Sequence, residues 1–389
     1  MPAVPSGLVA PVTSLPGTAR DVRSQSFDAR ARMGLPRRAS RRRRRRRLSA
    51  TGYRDLGSDR HVCPMDQLGF VGQHAGVRAS DRVIGSAPCG AAMSGNYRQG
   101  KIHLKQISAA YWRVTFDLPP LNIFGPASIP ELEAIVSLLE SDDRAKVVVS
   151  DSAVDGFFLT HYDFLAKPEE SAAFHPGRTG LQPLPDMLVR LSRASVVSIS
   201  SIRGRATGVG SELALACDMR IASRERAVLS QWEVGAGLVP GGERMARLPR
   251  LIGRGRALEV LLGADDIAGD VAELYGYVNR ALPAQQLDAF VDTFAARIAS
   301  FDKEAIAETK RLVNLNSLPS DDEIAPEWPA FIAALGRPAS QMRLRALFER
   351  GFHTPGDVET RLGFHVGSIG LAVEMPENRG CRPIGRTEL

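Results

Sequence analysis

The sequence predicts an α/β core followed by an all-helical region. Three observations carry this: short β-branched runs alternate with one-sided helical periods, the alternation stops near residue 284, and helical spacing then continues to residue 369. Taken in order, Trp112-Arg-Val-Thr-Phe-Asp117 alternates like a half-buried strand, and Pro119-Pro120 ends it. Ile129, Leu132, Ile135, Val136 and Leu139 recur on one face, which predicts a helix over Ile129–Glu140. Val147-Val148-Val149 reads as a short buried strand, Pro185–Ser192 as a helix and Val196–Ile202 as a strand, one β-then-α unit about every 45 to 50 residues. Beyond residue 284 the segments 284–300, 302–316, 321–336, 338–351 and 354–369 carry helical spacing, with Gly or Pro between several of them.

Composition divides the chain. Of its 389 residues 44% are apolar and 24% charged, as in a soluble globular protein, and no run of 18 apolar residues suggests a membrane span. The net charge of +7 misleads. Residues 1–92 hold 17 Arg and 6 Asp with no Lys or Glu, a net +11, and the remainder is mildly acidic at −4. Arg41 to Arg47 form an unbroken tract that repels itself and buries nothing, so a disordered extension over residues 1–97 is expected. Three readings of it stay open: a targeting segment, an RNA- or anion-binding arm, or a stretch outside the functional protein, with Met93 as the start. Cys63, Cys89, Cys217 and Cys381 have neither metal-ligand nor disulfide-like spacing, which favours a reducing compartment. The expected organisation is the extension, an α/β core over 98–283, a helical region over 284–369 and a loose tail over 370–389.

Chemistry concentrates in Gly204-Arg-Ala-Thr-Gly208-Val209-Gly210-Ser211-Glu212-Leu-Ala-Leu-Ala-Cys217-Asp218. A strand enters it, glycines permit a tight turn, and a good helix former follows. The first amides of that helix have no internal partners and lie at the positive end of the helix dipole, a natural place for an oxygen gaining negative charge. Glu212 falls in the same first turn, where a carboxylate can equally serve only to stabilise the dipole. The stretch lacks the Lys-Ser/Thr of a P-loop and the spacing of a dinucleotide site. Cys217, on an apolar helix face, reads as a core residue rather than a nucleophile.

This stretch resembles the signature of the crotonase superfamily, the enoyl-CoA hydratase/isomerase family, which reads approximately N-G-x-A-x-G-G-G-x-E-L-A-x-x-C-D. The likeness continues through Ser230-Gln231-Trp232-Glu233 to Pro240-Gly241-Gly242, through Arg247-Leu-Pro-Arg, and through Tyr275-Gly-Tyr-Val-Asn-Arg280. Upstream, Phe157 to Phe164 stands where the family has its F-x-A-G-x-D loop. The resemblance implies a spiral of ββα units and a lyase adding water to a 2-enoyl-CoA in fatty acid metabolism. It implies Glu212 as the base that activates water and Glu233 as the proton donor to C2. The implied oxyanion hole is the amides of Thr160 and Val209. Implied substrate contacts are Phe158, His161, Tyr162, Asp163, Gly208 and Lys310, the last toward CoA phosphates. No metal or other cofactor is implied, since CoA arrives with the substrate. Assembly as a homotrimer or hexamer and a cytoplasmic setting are expected, or a mitochondrial one if the extension is a transit peptide. Neither membrane nor nucleic acid is expected as a partner.

Departures from the pattern point to an altered pocket: Val209 and His161 for glycines, Thr160 for alanine, Trp232 for proline, Arg203 for asparagine, and Glu243-Arg244 for two glycines. Two alternatives therefore stand beside hydration: another acyl-CoA reaction of the superfamily (isomerisation, decarboxylation or thioester hydrolysis), and a non-catalytic RNA-binding protein of this fold.

Overall fold

The computed structural model describes residues 100–374; the expectations attached to the arginine-rich extension and to residues after 374 lie outside them. Strands β1 (Ile102–Gln106) and β2 (Tyr111–Phe116) form an antiparallel hairpin. Helix α1 (Ser128–Ser141) then buries Ile129, Leu132, Ile135, Val136 and Leu139, the face its spacing marks out. There follow β3 (Val147–Ser152), β4 (Phe157–Leu159), α2 (Pro168–Ala172) and α3 (Pro183–Arg193). Next come β5 (Val197–Ile202), β6 (Arg205–Thr207) and α4 (Val209–Ala216), then β7 (Met219–Ser223) and β8 (Val228–Ser230). A 3₁₀ turn (Trp232–Ala236) leads to α5 (Arg244–Ile252), α6 (Arg254–Gly263), β9 (Asp266–Ala268), α7 (Gly269–Tyr275) and β10 (Arg280–Leu282).

From β3 to β8 successive strands alternate between two sheets. The larger has the order β1-β2-β3-β5-β7-β10, parallel throughout except for the first pair; the smaller has the order β4-β6-β8-β9, with only β8 and β9 antiparallel. This is a spiral of ββα units. Its pitch along the sequence is uneven: strands of the large sheet begin at Val147, Val197 and Met219, because α2 and α3 both lie between β4 and β5 while α4 alone joins β6 to β7. A constant spacing of 45 to 50 residues is therefore not what the chain uses.

After β10 every regular element is helical: α8 (Leu287–Ala299), α9 (Lys303–Ser317), α10 (Asp321–Ile324), α11 (Glu327–Leu335), α12 (Pro338–Glu349), α13 (Asp357–Thr360) and α14 (Leu362–Glu374). Two segments expected as single helices are each split. One breaks at Pro326, which has no N–H to continue the hydrogen bonds of the preceding turn, and the other at Arg361, with φ −139° and ψ 44°. Helix α14 runs to Glu374, past the expected start of a loose tail. Helix α8 sets Leu287, Val291 and Ala295 on the large sheet against Val147, Val149, Ile199 and Ile221. The last helices pack elsewhere: Leu347, Phe352, Val358, Leu362 and Val366 enclose Trp232 of the 3₁₀ turn. Burying each such side chain is worth about 1.5–3 kcal/mol, enough to hold this region against the spiral. Among the described residues no helix is long and apolar enough to cross a membrane.

Candidate active site

Three neighbouring parallel strands, β4, β6 and β8, deliver their C-terminal ends to one place. The chain leaving β4 contributes His161 and Tyr162, the chain leaving β6 contributes Gly208, Val209 and Glu212, and the chain leaving β8 contributes Trp232 and Glu233. The turn after β6 needs a glycine. Gly208 has φ 54°, and a Cβ there would stand 2.8 Å from His161 Cα, so the loops from β4 and β6 touch at this point. Helix α4 begins at once, and the Gly210 amide donates to the Thr160 carbonyl at 3.0 Å, fastening the two loops together. The Val209 amide, first in the helix, has no acceptor inside it.

Glu212 and Glu233, 21 residues apart in sequence, meet at one guanidinium. Arg244, the first residue of α5, ion-pairs with both carboxylates, and its Nε donates to Glu212 Oε1 at 2.9 Å. All three side chains are buried. Gly242 makes room for this, since a Cβ there would fall inside the Glu212 carboxylate. Burial raises the Glu212 pKa, Arg244 opposes that rise, and the neighbouring Glu233 charge adds to it; the net direction is upward. Burial works against the charge of Arg244, but the two carboxylates outweigh it and raise its pKa, so it stays protonated. With both glutamates ionised the cluster carries one net negative charge. Arg244 was visible in the sequence as a departure from a glycine pattern, but nothing local assigned it these partners.

Between these groups lies a cavity of about 30 Å³, room for one water molecule. Its wall is completed by Phe164, Leu184 and Gly241, and by Trp328 and Phe331 of α11. An acyl chain needs far more space, so these aromatic side chains must move for one to enter.

The other residues singled out by sequence fall in different places. The Thr160 amide donates to the Asn122 carbonyl at 3.0 Å and is not free to meet an oxyanion. Among the described residues no acceptor faces the Tyr162 amide, two positions on: its neighbours in the short bridge to Phe124 are satisfied through the His161 carbonyl and the Asp163 amide. Phe158 is a core residue, edge-on to Phe116 at 6.2 Å, and does not line the cavity. Asp163 turns its carboxylate back to the Leu165 amide at 2.9 Å and fixes the loop. Lys310 is buried and does not line this cavity: its Nζ donates to the Val196 carbonyl and pairs with Asp218, both at 2.7 Å. Cys217 is buried in the core, and burial pushes its thiol up to about 12. His161 and Tyr162 do line the cavity. His161 is anchored by Glu359 of α13, a residue the sequence gave no reason to choose.

The profile of a family described as enoyl-CoA hydratase/isomerase matches residues 106–323. A short-chain-enoyl-CoA hydratase of Clostridium acetobutylicum is 29% identical over 202 residues, 52% of this chain and 76% of that protein. An ethylmalonyl-CoA decarboxylase of Danio rerio is 30% identical over 266 residues, 65% of this chain and 85% of that protein. A solved structure from Streptomyces avermitilis, provisionally assigned as an enoyl-CoA hydratase, aligns with TM-score 0.66 and 38% identity, covering 71% of this chain and 99% of its own.

Proposed function

The chain belongs to the enoyl-CoA hydratase/isomerase family, and from that premise we propose that it is a lyase adding water across the double bond of a 2-enoyl-CoA thioester. The observation that carries this reading is the convergence of Glu212 and Glu233 on Arg244 beside a water-sized cavity and the start of α4.

The thioester carbonyl accepts hydrogen bonds from the amides of Val209 and Tyr162. Tyr162 takes the place first expected of Thr160, whose amide is spent on Asn122. These donors stabilise the negative charge that gathers on the oxygen as water adds to C3, and losing one such donor typically costs about 3–4 kcal/mol of barrier. Glu212 removes a proton from the water held in the cavity, its raised pKa making it a better base than an exposed carboxylate. The hydroxyl of that water bonds to C3, and Glu233 delivers to C2 the proton that Glu212 took up, relayed between the two carboxylates, so that both end as they began. Arg244 fixes both carboxylates and spares them from facing each other as bare buried charges. The cluster's net negative charge disfavours a substrate with a free carboxylate near the reacting carbons, which sets hydration ahead of decarboxylation.

The test follows loss of the conjugated enoyl-thioester absorbance of crotonyl-CoA, beside Glu212→Gln and Glu233→Gln. The parent is expected to hydrate it, and each substitution to lower kcat by about 10²–10⁴-fold while acyl-CoA still binds. A parent that binds acyl-CoA and leaves crotonyl-CoA intact overturns hydration, and the activity named for the Danio relative becomes the next one to assay.

A further inference from the structure

The loop that carries the Tyr162 amide is held from the far end of the chain. His161 stands where the family pattern has a glycine, so the position has gained a side chain able to reach away from the loop. Its Nδ1 lies 2.9 Å from the Tyr162 carbonyl and its Nε2 lies 3.1 Å from both oxygens of Glu359. A carbonyl only accepts, and so does an ionised carboxylate, so each contact is satisfied by a ring N–H. Glu359 is itself pinned: its Oε1 accepts the His353 amide at 2.7 Å. The His353 ring returns to the loop, its Nε2 accepting the Phe164 amide at 3.3 Å; burial and the nearby His161 push its pKa down to about 2, which keeps the ring neutral and able to accept. Phe352 lies against the His161 ring at 4.3 Å between centroids. His161 and Glu359 are both buried to within one or two per cent, so neither has water to fall back on.

Residues 352–359 thus grip residues 161–164 at both ends, and the free Tyr162 amide lies between the two grips. We propose that Glu359 is a positioning residue for the reaction: through His161 it fixes the peptide that presents the Tyr162 N–H to the thioester oxygen. The proposal rests on the reading of that amide as an oxyanion donor. Without an acceptor at 359 the His161 Nε2–H is left buried and unpaired and the ring turns to find a partner. The contact from that ring to the Tyr162 carbonyl, which spans the His161–Tyr162 peptide bearing the Tyr162 N–H, is lost, and only the bond from the Phe124 amide to the His161 carbonyl still holds that peptide. A shift of well under an ångström there is enough to weaken a hydrogen bond to developing charge.

The experiment measures the infrared carbonyl stretch of butyryl-CoA, which cannot be hydrated, free and bound to the parent, Glu359→Met, Glu359→Gln and His161→Phe, with kcat and KM for crotonyl-CoA alongside. In the parent, binding is expected to lower the stretch. In Glu359→Met it moves back toward the free value, and kcat falls about 10- to 100-fold while KM stays within about threefold. Glu359→Gln, whose amide oxygen still accepts from His161, recovers most of that loss. His161→Phe keeps a ring against Phe352 and serves as the probe if Glu359→Met does not fold; it is expected to match the Met variant. If the parent lowers the stretch and the Met and Phe variants lower it equally with kcat unchanged, the oxyanion reading stands and the role of Glu359 is overturned. If the parent itself leaves the stretch unchanged, the oxyanion reading fails and takes this proposal with it.

Discussion

Glu243 and Arg244 are adjacent, both buried and both ion-paired, and both stand where the family pattern has glycine. They differ in where their partners come from. Glu243, with φ 68°, pairs with Arg247 one turn along the same helix, Nε to Oε2 at 2.6 Å. That pair is made by a single segment and closes on itself. Arg244 draws its partners from α4 and from the turn after β8, two separate passes of the spiral, and the cavity opens among them. A buried ion pair assembled locally secures its own helix. One assembled from distant segments defines a site.

The sharpest way to break this comparison is Arg244→Met. It leaves two buried carboxylates without their cation, so urea unfolding is expected to show a loss of about 3–5 kcal/mol. Losing the guanidinium also removes what lowers the Glu212 pKa, and the acid limb of the hydration profile is expected to move to higher pH. An unchanged profile would separate Arg244 from the chemistry. Arg247→Met should cost less, about 1–3 kcal/mol. Burial has already raised Glu243 to about 7 despite Arg247, so this carboxyl can take up a proton instead of remaining a bare charge. Its hydration profile should match the parent's, and a shift like that of Arg244→Met would erase the distinction between the two pairs.

A pH series sharpens the same contrast. Glu327 of α11 accepts the amides of Ala246 and Met245 at the start of α5, yet burial outweighs these bonds and raises it from 4.5 to about 7. The folded state therefore holds a proton that the unfolded chain releases near pH 4.5. This stability is complete below pH 4.5 and is lost as pH rises through about 7, up to about 3 kcal/mol. Glu327→Gln should flatten the fall in denaturation midpoint over that range; a slope equal to the parent's removes Glu327 as its source. The smallest effect is expected from Lys310→Met: about 1–2 kcal/mol of stability and a KM for crotonyl-CoA within about threefold of the parent. A tenfold rise in KM would return Lys310 to the CoA site.

The sequence displayed what has a period or a turn. The spacing of Ile129 through Leu139 marked α1 and its buried face, and the glycines before Glu212 marked a strand, a turn and a helix start. That the Thr160 amide is spent on Asn122 was not legible for a physical reason: β4 pairs irregularly with β6 between Phe157 and Leu159, so alternation cannot say which amide emerges unpaired. Arg244 and Glu359 were illegible because their contacts span 32 and 198 residues, and neither end carries a periodic trace of the other. The burial of Lys310 was not legible because a lysine on a helix resembles a solvated one until the acceptors beside it, the Val196 carbonyl and Asp218, are seen.

Because β4, β6 and β8 lie side by side yet belong to successive turns of the spiral, each ingredient of the site is written on its own cassette. The loop after β4, the turn after β6 and the turn after β8 can each be rewritten with the strand pairing beneath left intact. A scaffold so divided lets its parts be edited one at a time, and Arg244, arriving from a fourth segment, ties two of them together.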